Sequence, residues 1–312
     1  MIGFRRIATL CAALVLLLGV SACANRPHSD PSGPVADPAS AFPAKVQLPG
    51  QEPVTLTHQP KRIVSLSPTA TEALYAVGAG DQVIAVDAYS NHPEHAPRTD
   101  LSALTADAAA VAGHDPDLVI LPDGSEKLAE GLREVDVPVL LTPAAKNLEE
   151  AYQQIEVLGQ ATGHRTQAVD LVKRMRADID KIVRDTPKPQ RPMSYYHEVS
   201  PDFYTATSQS FVGSVYELFG LTNIADSAGG EFPQLSEEHI LRANPDLIFL
   251  ADTKGHGVTA ASVAERPGWD TLDAVRHGRV VELDDDIASR WGPRVVDMVR
   301  AVSDAIAKAQ QG

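Results

Sequence analysis

One seven-residue phrase occurs twice in this chain. Asp115-Pro116-Asp117-Leu118-Val119-Ile120-Leu121 in the first half returns as Asn244-Pro245-Asp246-Leu247-Ile248-Phe249-Leu250 in the second. A proline ahead of a short run of branched and large apolar residues marks a turn feeding a strand buried on both faces. Its repetition predicts two pseudo-symmetric lobes. Around the first copy, Ile63 to Leu66, Val83 to Val86 and Val139 to Leu141 are further short apolar runs, while Thr69 to Val77 and Ser125 to Val135 carry helical patterns with a hydroxyl residue to cap each. Around the second, Ser194 to His197 and Val280 to Leu283 alternate with Phe211 to Phe219, Glu237 to Ala243 and a last helix from Pro293 to about Ala309. Such alternation builds mainly parallel sheets, so the fold class is α/β with two Rossmann-like lobes.

Between the lobes, Leu148, Tyr152, Ile155, Leu158, Val169, Val172, Met175, Ile179 and Ile182 recur at spacings of three and four, and Pro187, Pro189 and Pro192 end the pattern. This predicts a single long linking helix over 148–186, bent or interrupted near Gly159 to Arg165. The lobes then occupy 61–147 and 187–312. In open α/β sheets ligands collect at the carboxyl ends of the strands, and two such edges facing each other make a cleft.

The N-terminus sets the compartment. Arg5 and Arg6 precede an apolar run from Ile7 to Val20, which ends in Ser21-Ala22-Cys23. The run is short for roughly 30 Å of hydrocarbon, so residues 1–22 read as an export signal and not as a membrane span. Small residues before a cysteine resemble the lipobox of bacterial lipoproteins, which implies lipidation at Cys23 and an extracytoplasmic, membrane-anchored chain. Residues 23–60, rich in Pro, Ser, Ala and Asp, read as a flexible tether and N-terminal extension, with the folded body starting near Lys61. Cys11 leaves with the signal, so Cys23 has no internal partner and stability must come from burial. The formal net charge of −14 becomes more negative still once Arg5 and Arg6 are removed, which excludes nucleic acid as a natural partner.

Four motifs stand in order along the chain. They are Lys61-Arg62-Ile63-Val64-Ser65-Leu66-Ser67-Pro68-Thr69-Ala70-Thr71-Glu72, Pro116-Asp117-Leu118-Val119-Ile120, Phe232-Pro233-Gln234-Leu235-Ser236-Glu237-Glu238 and Arg290-Trp291-Gly292-Pro293-Arg294. Together they resemble the class III periplasmic binding proteins, the receptors of ABC importers for iron siderophores, haem and cobalamin, over Lys61 to Ala309. The resemblance implies a rigid helix between the lobes, a ligand in the cleft, little hinge closure, and an ABC permease with its ATPase as partners. It implies no cofactor and no catalysis; the chain is read as a monomer whose cargo is a metal chelate, an Fe(III)-siderophore or haem, with cobalamin as the alternative.

The resemblance also suggests site residues. Tyr89 matches a tyrosine stacked on the ligand in the family's corrinoid receptors, and Phe232 matches a tryptophan stacked from the other lobe; flat aromatic faces suit a macrocycle or an aryl chelator. His197 falls near a further aromatic contact, and Tyr89 with His197 would serve as axial ligands if the cargo were haem. Asp286 and Arg290 match polar contacts, with Arg294 one turn on. Guanidinium forks suit cargo carboxylates, although the spacing of Asp286 and Arg290 equally suits an ion pair between them. The corrinoid receptors' two further tryptophans have no counterpart near Ala103 and Pro122, which lowers cobalamin as cargo. For permease docking Glu238 matches in the second lobe; the first-lobe position aligns with Ala109, and Asp107 stands nearby as a substitute.

Enzyme signatures are missing. No Gly-x-Gly-x-x-Gly opens a helix, Gly78-Ala79-Gly80 reads as a helix C-cap, and His92 and His95 straddle Pro93 in a loop unsuited to zinc.

Overall fold

The computed structural model describes residues 41–311. The export signal and Cys23 lie outside the described residues. Folded structure begins earlier than Lys61: β1 (Ala44–Val46) and β2 (Val54–Leu56) form an antiparallel hairpin whose Val46, Leu48 and Leu56 are buried. The expected tether to residue 60 is thus corrected. Apolar residues at alternate positions on both sides of Pro49-Gly50, with Gly50 at φ 75°, make a hairpin signal that the polar average of the segment concealed.

The first lobe runs β3 (Ile63–Ser65), α1 (Pro68–Ala76), β4 (Val83–Val86), α2 (Ala108–Ala112), β5 (Leu118–Pro122), α3 (Glu126–Arg133) and β6 (Val139–Thr142). Its strands are parallel in the order β4-β3-β5-β6. Ser67 caps α1, its hydroxyl accepting from the Ala70 N–H at 3.3 Å, and Pro68 starts the helix where its missing N–H does no harm.

The linking segment over 148–186 is divided within Gly159 to Arg165, the stretch expected to bend or interrupt it. It is two helices, α4 (Leu148–Thr162) and α5 (Arg165–Asp185), packed on one another. Gly163, at φ 79°, ends α4 in the left-handed conformation, and the His164 N–H closes the cap on the Gly159 carbonyl at 2.6 Å. A side chain at Gly159 would collide with the Ala168 methyl, so that glycine permits the close crossing of the pair.

The second lobe follows as β7 (Ser194–Glu198), α6 (Phe211–Glu217), β8 (Thr222–Asn223), α7 (Glu237–Ala243), β9 (Leu247–Leu250), α8 (Ala260–Ala264), α9 (Asp273–Arg276), β10 (Val280–Glu282), α10 (Asp285–Ser289) and α11 (Val295–Ala309). Its parallel order β10-β9-β7-β8 repeats the first lobe's. The repeated phrase performs one task twice. Asp117 accepts from the Lys61 and Arg62 N–H groups at 2.8 and 2.9 Å, and Asp246 accepts from the Ser194 N–H at 2.8 Å, so each aspartate ties the start of one central strand to the segment entering its neighbour.

The lobes are not separately packed. One apolar cluster passes from Ile63 and Leu118 through Ile155, Leu158, Met175 and Ile179 to Tyr195, Leu247 and Val302. Helix α4 lies on α1 and β1, whereas α5 lies on α11. The helix pair therefore welds both sheets into a continuous interior, which is what holds the gap between them.

Candidate binding cleft

The segments leaving the carboxyl ends of the strands meet across the lobes, and one arginine fixes how. Arg290, just beyond α10, donates to Glu72 Oε1 at 2.8 Å, to Asn91 Oδ1 at 2.9 Å, to the Tyr89 carbonyl at 3.0 Å and to Asp286 Oδ1 at 2.6 Å. Asn91 returns a bond to Asp286 Oδ2 at 2.9 Å, and Arg294 Nε donates to Glu72 Oε2 at 2.9 Å. Glu72, on α1 of the first lobe with its side chain 2% exposed, thus holds two arginines of the second. The hydrogen bonds from Arg294 to Glu72 hold its guanidinium more firmly protonated than usual. Lys254 is likewise committed, to Asp284 at 2.6 Å and Asp286 at 3.4 Å.

This lock corrects the expectation that Arg290 and Arg294 offer free forks to cargo carboxylates. The i, i+4 ion pair of Asp286 with Arg290 is present, but the larger partner is Glu72, which the sequence hides because it lies more than two hundred positions away. The loop after β4 is braced from below as well. Thr71 Oγ1 lies 3.0 Å from Ser90 Oγ, and the Ser90 N–H donates to Asp87 Oδ1 at 2.8 Å. Burial nonetheless raises the Asp87 carboxyl above its ordinary value, against the opposing bonds from Ser90.

Tyr89, in the loop after β4, is 67% exposed, and Phe232, in the second lobe, is 53% exposed. Each is a large aromatic surface left open, one per lobe. Phe232 stands on a short antiparallel ribbon, in which Tyr204 bridges Gln234 and the Thr205 N–H donates to the Pro233 carbonyl at 3.0 Å. By strand alternation Tyr204 shares the ribbon face of Phe232, and it is 45% exposed. Tyr204 escaped the sequence reading; an aromatic pair in the turn after a strand, Phe203-Tyr204, was its only signal.

His197 is removed from the cleft. It is buried in the second lobe, its Nδ1 2.8 Å from the Tyr216 hydroxyl, and burial pushes its pKa down to about 4. Alternation along β7 turns Tyr195 and His197 together toward α6, so the side chain faces the core of the lobe. Glu238 lies exposed in the first turn of α7, 3.7 Å from Arg242, and Asp107 lies exposed as the cap of α2, accepting from the Ala110 N–H at 2.7 Å. Among the described residues no group of three or more His, Cys, Asp or Glu is placed to hold a metal ion, and no helix is long and apolar enough to cross a membrane.

Comparison with known proteins gives a consistent neighbourhood. A family model described as periplasmic binding protein matches residues 63–287. The uncharacterized ABC transporter substrate-binding lipoprotein YvrC of Bacillus subtilis is 30% identical over 311 residues, covering 97% of this chain and 98% of its own. A cobalamin-binding protein of Halobacterium salinarum is 28% identical, covering 96% of this chain and 84% of its own. Among solved structures, the periplasmic haem-binding protein RhuT of Roseiflexus sp. RS-1 superposes with a TM-score of 0.70 at 25% identity, over 80% of this chain and 98% of that one.

Proposed function

Because the chain belongs to the periplasmic binding protein family, extracytoplasmic substrate-binding components that work with an ABC permease and its ATPase, we propose that it captures a bulky, weakly charged metal chelate, a corrinoid, and delivers it for import. The observation that carries this reading is the occupation of Arg290 and Arg294 by Glu72. Haem propionates or a carboxylate siderophore would have to pull those guanidinium groups from a buried anion, whereas an uncharged macrocycle needs only the faces of Tyr89, Tyr204 and Phe232. The cobalamin-binding relative points the same way. An Fe(III)-siderophore or haem is the second reading, favoured by the haem-binding structural neighbour; with His197 buried, haem would have to be held without it.

Two measurements test the choice. Protein purified without added ligand is examined for a corrin, Soret or siderophore absorbance, and tryptophan fluorescence is then titrated with cyanocobalamin, haemin and a ferric hydroxamate. Tight binding of haemin with none of cyanocobalamin would reject the corrinoid. Tyr89→Ala is expected to weaken cargo binding about tenfold, roughly 1.4 kcal/mol, without changing Tm. An unaltered affinity would remove Tyr89 from the site.

Delivery is proposed to use Glu238 and Asp107 as one acidic contact per lobe against cationic permease residues, and lipidation at Cys23 to keep the receptor near the membrane. The lipoprotein name of the Bacillus subtilis relative supports the anchor. Glu238→Arg should leave cargo affinity intact and abolish uptake in cells; normal uptake would dismiss that contact.

A further inference from the structure

Beneath the aromatic ribbon lies a second cluster of charge. Glu198 ends β7 and Asp252 lies two residues past β9; both are buried, Asp252 with 1% exposed. The strands run parallel with Glu198 beside Leu250, and the Ala251 N–H continues the ladder to the Glu198 carbonyl at 2.9 Å. Thr205 bridges Glu198 from the other side. With side chains alternating along each strand, Tyr196, Glu198, Ser200, Asp252 and Thr205 all stand on one face of the sheet edge.

The partners are unequally shared. Arg266 spends its fork on Glu198, at 2.7 and 2.6 Å, while lying 4.6 Å over Trp269. Among the described residues neither oxygen of Asp252 has a hydrogen-bond partner, nor do the hydroxyls of Tyr196, Ser200 and Thr205. A buried ionised carboxylate without a donor is strongly disfavoured, whereas a protonated one becomes a donor itself.

We propose that Asp252 is a proton-binding site: it carries a proton shared with Glu198 in mildly acidic solution, and loss of that proton opens the turn 199–205 and loosens the aromatic ribbon above it. In this proposal the turn is the part that gives way. It places Phe203 at φ 65°, stacks that ring on Trp269 at 5.9 Å, and joins the ribbon through Thr205. When both carboxyls are charged, one guanidinium faces two anions, and admitting water by moving the turn is the available relief.

Burial first, and then the charge of Glu198, push the Asp252 carboxyl up to about 7. The other groups facing it are Tyr196 on β7 and Arg266 beyond α8; Lys254 and His256 share its loop, and Asp285 of α10 accepts from the Thr253 hydroxyl of that loop at 2.8 Å. Because the folded-state value is raised, the contribution to stability is complete below the unfolded value near 3.8 and disappears as pH climbs through about 7.

The test uses cargo-free protein, so it stands whether or not the corrinoid reading survives; only the consequence for cargo grip rests on that reading. Tm and amide exchange over 199–205, corrected for intrinsic rates, are followed at pH 6 and 8.5 in wild type and Asp252→Asn. The wild type should lose Tm and exchange at least tenfold faster at the higher pH, while Asp252→Asn, an uncharged isostere, stays level. A carbon-13 titration of the Asp252 carboxyl in wild type guards against a variant that fails to fold: a midpoint near 7 supports the site and one near 4 overturns it. Equal slopes in the two proteins would also overturn it. Should cyanocobalamin bind, its affinity should weaken severalfold over the same interval in the wild type alone.

Discussion

Glu72→Ala is expected to lower the unfolding free energy by about 3–5 kcal/mol, a fall in Tm on the order of 10 °C for a chain of this size. The size of the loss follows from what would be left behind. Among the described residues Glu72 is the sole carboxylate paired with Arg294 and one of two paired with Arg290, and all three side chains are largely shielded from water. Its removal abandons two buried guanidinium groups, while Asp286 answers only one of them. Glu72→Ala combined with Arg294→Ala should lose less than the sum of the single changes, because the second removes a charge the first has stranded. Additive losses, or a Tm within a degree of wild type, would mean that the contact across the lobes contributes little.

Arg266→Met should be comparably destabilising, about 3–5 kcal/mol at pH 8, and it should recover as the solution is acidified. Among the described residues the guanidinium is the only cation within reach of the Glu198 and Asp252 carboxyls, and it packs on Trp269 as well. Methionine keeps much of the packing volume but removes the charge, leaving two neighbouring carboxyls that are tolerated only when protonated. Proton uptake by the folded form then gives the variant greater stability at low pH and less at high pH, so the gap to wild type should widen from pH 5.5 to pH 8 in urea unfolding. A gap that does not change with pH would show that Arg266 acts through packing alone.

Local and periodic features could be read from the chain; choices of face and partner could not. The repeated Pro-Asp-apolar phrase was legible because Asp117 and Asp246 serve the strand they precede. The exposed positions of Tyr89 and Phe232 follow from their places after strands or on an edge ribbon. His197 was misplaced because alternation says that successive side chains part company, without saying which face holds α6. An interruption near Gly159 to Arg165 could be read, but not that it divides α4 from α5, because the apolar spacing continues across Gly163. Glu72 sits in a quoted motif, yet its role depends on Arg290 and Arg294, which no local pattern connects to it.

The unbroken apolar interior has a consequence for how such a receptor reports to its transporter. On the proposed reading, a body whose two lobes share one apolar interior would change its silhouette little between its filled and empty forms. On the reading proposed above, selection for the loaded form would then lie in what a permease can touch inside the groove, and empty copies would compete for the same berth.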